Sequence, residues 1–263
     1  MGSTLSTLSS ALTKDAEAAS FNGYPTEDDV AAVRVFMLEG FPLPLEIIDL
    51  ILDFAEYWPC LRVDNSEEIE AVASSTVHGE ATWTYLISPP MLPGEISGTE
   101  SRHRRVRKIT FEMESHDQGW TSIQGTEGTY NGSWSWFEAI IYRPSASPCW
   151  LDLTSGPFNL GATFTASDIH ELFPVPDPNR WFIQSNLVAS RQSRVHSVTW
   201  REFEDEKAHV DPTSLRGREG LGHELVRSLE PGDRVLLLAK SKFPGWVNHV
   251  YGASLHQEKY SHL

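Results

Sequence analysis

Residues 133–142 read Ser133-Trp134-Ser135-Trp136-Phe137-Glu138-Ala139-Ile140-Ile141-Tyr142. A run this rich in aromatic and β-branched side chains, with no Pro or Gly inside it, describes a strand. Trp134, Trp136, Glu138 and Ile140 fall on one face and Ser135, Phe137, Ala139 and Ile141 on the other. Both faces are mostly apolar, so both are expected to be covered. Working outward, the same two-residue period recurs. Trp83, Tyr85 and Ile87 alternate with Thr82, Thr84 and Leu86, and Ile109, Phe111 and Met113 alternate with Thr110, Glu112 and Glu114, the latter giving one wet face. Trp181–Ala189 and Val195–Glu202 read as an antiparallel pair around the turn Arg191-Gln192-Ser193-Arg194. Pro231-Gly232-Asp233 turns into Val235-Leu236-Leu237-Leu238-Ala239, a continuous apolar run expected to be buried on both faces, and Phe243-Pro244-Gly245-Trp246 precedes a last strand over Val247–Leu255. Seven of the nine tryptophans lie between Trp120 and Trp246. Strands without long helical patterns between them predict a mainly β fold, an antiparallel sandwich, with a small helical part in front.

The front part has the other period. Residues 1–24 are rich in Ser, Thr and Ala and read as a disordered tail. Thr26 is placed to cap a helix whose first turn is Glu27-Asp28-Asp29, with Val30, Val33 and Met37 recurring at helical spacing until Gly40 stops it. A second helix is predicted from Pro44 to Trp58, ended by Pro59, with Glu46, Asp49, Asp53 and Glu56 as an acidic stripe on an otherwise apolar cylinder. The expected organisation is a tail over 1–24 and a helical segment over 25–62. A connecting segment over 63–104, with one strand and a short helix from Ser66 to Ala73, leads into the β-sandwich over 105–263.

Charge narrows the function classes. The net charge is −15, and residues 1–100 carry 17 acidic side chains against 3 basic ones. Phosphate backbones demand clustered Lys and Arg, so nucleic acid is not an expected partner. The local exception, Arg102 to Lys108, reads as a solvated loop entering a strand, with nuclear localisation as the other reading. Cys60 and Cys149 are too few for a disulfide framework or a zinc site, and without a secretory signal a cytoplasmic setting, with the nucleus as alternative, is expected. No apolar run is long enough to span a membrane. Gly2 sits in Met-Gly-Ser-Thr-Leu-Ser, the pattern for N-myristoylation, which alone would anchor only weakly. No metal-ligand spacing, cofactor motif, nucleophile elbow or P-loop is present, and Gly217 to Gly222 lacks the Lys-Ser/Thr pair a phosphate cradle needs. The chain is expected not to be an enzyme, and no catalytic residue or cofactor is nominated.

Polar groups beside aromatic rings in turns carry more. Asp117, Gln118 and Trp120, then Arg191, then Trp246 and Asn248, pair flat apolar surface with hydrogen-bonding groups, as sugar-binding loops do. These six are the candidate ligand-binding residues, and Leu43, Pro44, Leu45, Ile48 and Leu52 are the candidate partner-binding residues of the second helix. The expected function is recognition: a helical docking element and a β-domain whose Trp-bearing loops bind a glycan or protein ligand. An intracellular structural or interaction domain without a small ligand is the alternative, and a glycosidase-like enzyme using two unnominated carboxylates is the third.

Two resemblances bear on this reading. Leu43-Pro44-Leu45-Glu46-Ile47-Ile48-Asp49-Leu50-Ile51-Leu52 resembles the L-P-x-E opening of an F-box, which implies docking onto a Skp-type adaptor of a cullin ubiquitin ligase. The series S-H-D-Q-G-W (115–120), G-T-Y-N-G-S-W-S-W-F-E (128–138), N-L-V-A-S-R (186–191), S-L-E-P-G-D-R-V (228–235) and F-P-G-W-V-N-H-V (243–250) is similar to a poorly characterised family of filamentous-fungal proteins. The strand order and the terminal Gly-Trp loop also resemble galactose-binding-like jelly rolls. In one class of F-box proteins such a domain reads glycans on misfolded glycoproteins, so the resemblance implies a glycan or glycoprotein ligand.

Overall fold

A computed structural model of the chain describes residues 23–76, 79–91, 105–143, 180–203, 217, 218, 220 and 222–260. It forms two compact units that divide between Pro59 and Cys60.

The first unit holds two helices. In α1 (Glu27–Gly40) the Thr26 hydroxyl accepts from the Asp29 backbone N–H, and the Asp29 carboxylate accepts in return from the Thr26 N–H, a reciprocal cap. The Thr26 N–H and the Thr26 hydroxyl both donate to the Asp29 carboxylate and hold this exposed carboxyl below its ordinary pKa. The second helix, α2 (Leu45–Phe54), is shorter than the apolar pattern suggested. Glu56 takes a left-handed φ of 50°, the Tyr57 N–H bonds the Leu52 carbonyl and the Glu56 N–H bonds the Asp53 carbonyl. That is a Schellman stop, which closes the helix before Pro59 is reached. Arg34 and Asp49 form an ion pair at 2.6 Å, with both side chains nearly buried.

The second unit is the sandwich. One sheet runs β1 (Cys60–Asn65), β9 (Val247–Tyr260), β4 (Arg105–His116), β7 (Arg194–Arg201), with β2 (Ile69–Val72) beside β9 after β1. The other runs β3 (Glu80–Ile87), β8 (Arg234–Lys242), β5 (Ser135–Tyr142), β6 (Arg180–Ser185). All pairings are antiparallel. Counting β1 and β2 as one interrupted strand leaves two four-stranded sheets in jelly-roll order. Phe111, Met113, Val198, Trp200 and Leu255 from the first sheet meet Tyr85, Phe137, Ile183, Leu237 and Ala239 from the second in one core. The run Val235–Ala239 is buried on both faces, as its continuous apolarity implied.

Three expectations are corrected. The described part of the stretch expected as a connector over 63–104 belongs to the sandwich, because β1, β2 and β3 are strands of the two sheets and the boundary lies at residue 59; residues 92–104 lie outside the described residues. The short helix expected from Ser66 is instead β2, followed by a single 3-10 turn over Ala73–Ser75; pairing with β9 satisfies its backbone. Lastly, β6 and β7 are no hairpin. The former pairs with β5 and the latter with β4, so residues 186–193 cross from one sheet to the other. Hairpin spacing in sequence cannot distinguish a return within a sheet from a step between sheets. Of the basic run 102–108, Arg105 and Arg107 pair with Glu202 and Lys108 with Glu258; residues 102–104 lie outside the described residues. Gly2 and Cys149 lie outside them as well.

His196 is a core-facing residue of β7 whose Nε2 meets the Tyr130 hydroxyl at 3.0 Å. Burial pushes its pKa down to about 4, with the charges of Arg194 and Arg218 adding. The neutral ring is therefore part of the folded state, and this contribution is complete above the unfolded value of 6.5 and lost as pH falls toward 4. The unfolded chain binds the extra proton in that window, so stability should decline by up to about 3 kcal/mol more than in a variant without the imidazole. Urea unfolding followed by tryptophan fluorescence at pH 7.5 and pH 4.5 checks this. The His196→Gln protein, which keeps a partner for Tyr130, should show the shallower pH dependence.

Candidate functional site

Four connections gather at one end of the sandwich: Ala73–Thr76 with Gly79, Asp117–Trp134, Asn186–Ser193 and Phe243–Trp246. Their arrangement starts from a buried polar base. The Asn186 amide N–H₂ donates to Asn248 Oδ1 at 2.9 Å and to the Ser135 hydroxyl at 3.1 Å, while its oxygen accepts from Ser115 at 2.7 Å. Asn248 in turn donates to the carbonyls of Trp136 and Lys240. Four strands and one crossing loop are joined by side chains that water does not reach.

Asp117 does the same for the loops above. One carboxylate oxygen accepts from the N–H groups of Gly119 (2.8 Å) and Ser190 (2.9 Å), and the other accepts from Ala189 (2.6 Å). Burial raises its pKa, opposed by those three donors and by His116. With both oxygens engaged and the side chain at 0% exposure, Asp117 ties the β4–β5 loop to the β6–β7 loop. Two of the expected ligand-binding residues, Asp117 and Asn248, are thus supports. A sequence pattern that places Asp, Asn and Trp together in turns serves a turn's own hydrogen bonds as well as a ligand's.

The outer layer is aromatic. Trp120 is 54% exposed, Phe243 44% and Trp134 38%, one from each side of the β4–β5 loop and one from the β8–β9 turn. Trp134 and Phe243 meet edge to face with centroids 4.7 Å apart. The six-membered ring of Trp120 lies against Gly245, where an added Cβ would come within 3.1 Å of it. Trp246 is half-buried and its carbonyl accepts from Ala73, so its backbone holds the first loop. Phe243 takes φ +70°, a left-handed conformation costly for an aromatic residue. Its N–H bonds Gly79, which secures the strained turn and keeps the ring outward.

Gln118 donates to the Trp120 carbonyl, and Arg191 is exposed with its stem lying on Gly119. The structure therefore brings Gln118, Trp120, Arg191 and Trp246 to one surface and puts Asp117 and Asn248 beneath it. Trp134 and Phe243 complete the rim. The alternating pattern includes Trp134, yet β5 begins one residue later; the Asn131-Gly132 turn is the signal that shortens it. Beside this surface, His116 stacks on His249 with centroids 4.5 Å apart and reaches the Tyr251 hydroxyl, while His249 faces Glu70. Burial lowers the His249 pKa, and His116 adds to it. No group of His, Cys, Asp and Glu among the described residues could hold a metal ion.

On the helical unit, Pro44 and Leu45 are exposed and Leu43 is half-buried, but Ile48 and Leu52 are buried and offer nothing to a partner. The exposed apolar residues of α2 are Leu45, Ile47, Leu50, Ile51 and Phe54.

Comparison with known proteins adds little. No family model matches the chain, and no curated protein does. Among solved structures, the crystal structure of a decameric BFDV capsid protein aligns over 78% of this chain and 98% of its own, at 10% identity and a TM-score of 0.29. So loose an overlay carries no argument, and the fold assignment rests on the strand order itself.

The supporting role of Asp117 has a measurable consequence. Asp117→Asn turns one acceptor oxygen into a donor facing backbone N–H groups, which should cost about 2–3 kcal/mol of stability. Chemical denaturation checks it. A stable Asp117→Asn protein would mean that the carboxylate is not an anchor.

Proposed function

We propose that the chain is a non-enzymatic recognition protein: its helical unit docks a protein partner and the loop end of its sandwich reads a ligand. The observation that carries this is the surface of the helical unit. Between Val35 and Phe54, nine large apolar side chains are exposed, with Phe54 at 82%. So much apolar surface on so small a unit marks a place where another protein binds. Glu39, Glu46 and Glu56 are exposed beside it, and the one basic side chain of the unit's described residues, Arg34, is buried against Asp49. A partner with an apolar groove and a basic rim fits. The L-P-x-E resemblance nominates a Skp-type adaptor of a ubiquitin ligase, and the reading it supports is a substrate receptor working in the cytoplasm or nucleus. No helix among the described residues is long and apolar enough to cross a membrane.

The sandwich end supports the second half of the proposal. Three aromatic rings stand outward on loops that a buried network holds rigid, which suits the C–H faces of sugar rings or an aromatic-seeking peptide. A glycan or glycoprotein is the ligand class favoured, in keeping with the galactose-binding-like resemblance. Asp117, three residues before Trp120, is consumed by backbone donors, which favours binding over glycosidic chemistry.

Capture of the full-length chain on purified Skp-type adaptor tests the docking half. Leu50→Asp/Phe54→Asp, at exposed positions, should lower capture about tenfold or more without moving the melting of the sandwich. A monodisperse wild-type protein that the adaptor does not retain would sink the proposal. A wild-type dimer that the double variant dissociates would establish self-association, the interaction-domain alternative, instead.

A further inference from the structure

Resting on the reading of the loop end as a ligand surface, we propose that its ligand is an acidic glycan, with Arg191 taking the negative charge while Trp120 takes the adjoining sugar ring. Arg191, Trp120 and the two glycines that seat them form one strip across three loops. A Cβ at Gly119 would stand 2.2 Å from Arg191 Cγ, so the arginine stem lies flat on the peptide of the residue before Trp120. Gly119 holds φ +79° and Gly245 φ +93°, left-handed conformations in which a side chain would be both strained and in the way. The stem is thus placed by packing on the residue between Gln118 and Trp120, and Arg191 stays exposed to solvent.

That guanidinium has no acceptor among the described residues. Many other arginines of the sandwich are engaged: Arg62 by Asp64, Arg105 and Arg107 by Glu202, Arg143 by Asp233, Arg218 by Gln184 and the Ser197 carbonyl. The carboxylates closest in sequence to the strip have other partners. Asp117 holds three backbone N–H groups on its two oxygens, while one oxygen of Glu114 takes the Ser193 hydroxyl and one of Glu127 the Gly125 N–H. Gln118 is committed through its amide N–H₂ to the Trp120 carbonyl, and its Oε1 is enclosed with no donor. A planar, five-donor cation beside an exposed indole matches a sugar bearing a carboxylate or sulfate: the ring stacks and the anion is held by two N–H donors. A neutral sugar would use the indole and leave the guanidinium to water.

Isothermal titration of the full chain with paired probes separates the two halves of this argument. Sialyllactose is compared with its methyl ester, and tetragalacturonate with its methyl ester, so that charge changes while the rings stay. At least one acidic member should bind roughly five- to tenfold tighter than its neutral twin, and added salt should shrink the gap. Arg191→Gln should abolish the gap and keep the neutral affinity, whereas Trp120→Ala should weaken both members. Equal affinities within each pair, or a gap that survives Arg191→Gln, would overturn the acidic-glycan inference and leave sugar reading at the loop end intact. Failure of every probe to bind a correctly folded protein would overturn both.

Discussion

The loop end of this protein depends on buried polar groups that satisfy one another. Asn186, Asn248, Ser115 and Ser135 lie where water does not reach, and each unmade bond there costs about 1–3 kcal/mol. The arrangement of the crossing loop and the strands on either side makes all of these bonds at once. Asp117 extends the same constraint upward, since three backbone N–H groups from two loops converge on a single carboxylate. Because the penalties are local and severe, the loops adopt one geometry even though their sequences are rich in residues that permit several.

That rigidity is what allows aromatic surface to stand outside the core. Trp120, Trp134 and Phe243 expose area that a jelly roll of this size could have buried, and Phe243 does so from a left-handed backbone. Strain of this kind persists when the surroundings hold it, here through the Phe243 bond to Gly79 and the contact with Trp134. The helical unit achieves exposure differently. It is too small to cover its own apolar residues: α2 buries Ile48 and Leu52 and leaves Leu50, Ile51 and Phe54 in solvent. One unit displays a preformed surface and the other an incomplete core.

Much of the fold was legible along the chain. Strands β3, β4, β5, β7, β8 and β9 announce themselves by two-residue alternation or by an unbroken apolar run, since the pleat sends successive side chains to opposite faces. The Thr26 cap and the Gly40 stop follow from backbone groups that a helix end leaves unpaired. Pairing was not legible in the same way. Whether Arg180–Ser185 returns to Arg194–Arg201 within one sheet or crosses to the other depends on what Asn186 finds beneath it, more than 60 residues away at Asn248. The stretch around Ile69 looks helical or idle in isolation and becomes a strand because β9 offers it a partner.

The candidate site divides along the same line. Sequence alone determined that Asp, Asn, Gln, Arg and Trp cluster in turns of a β-domain, and that an acidic, apolar helix stands before it, because these are properties of neighbours in the chain. Only the tertiary structure decided which of them face inward. Asp117 and Trp120 are three residues apart, yet one is sealed beneath three N–H donors and the other is half in water. The difference is made by Gly119, Ala189, Ser190 and Gly245, residues of three separate loops, and a solvation cost set by distant segments cannot be read from the local order of residues.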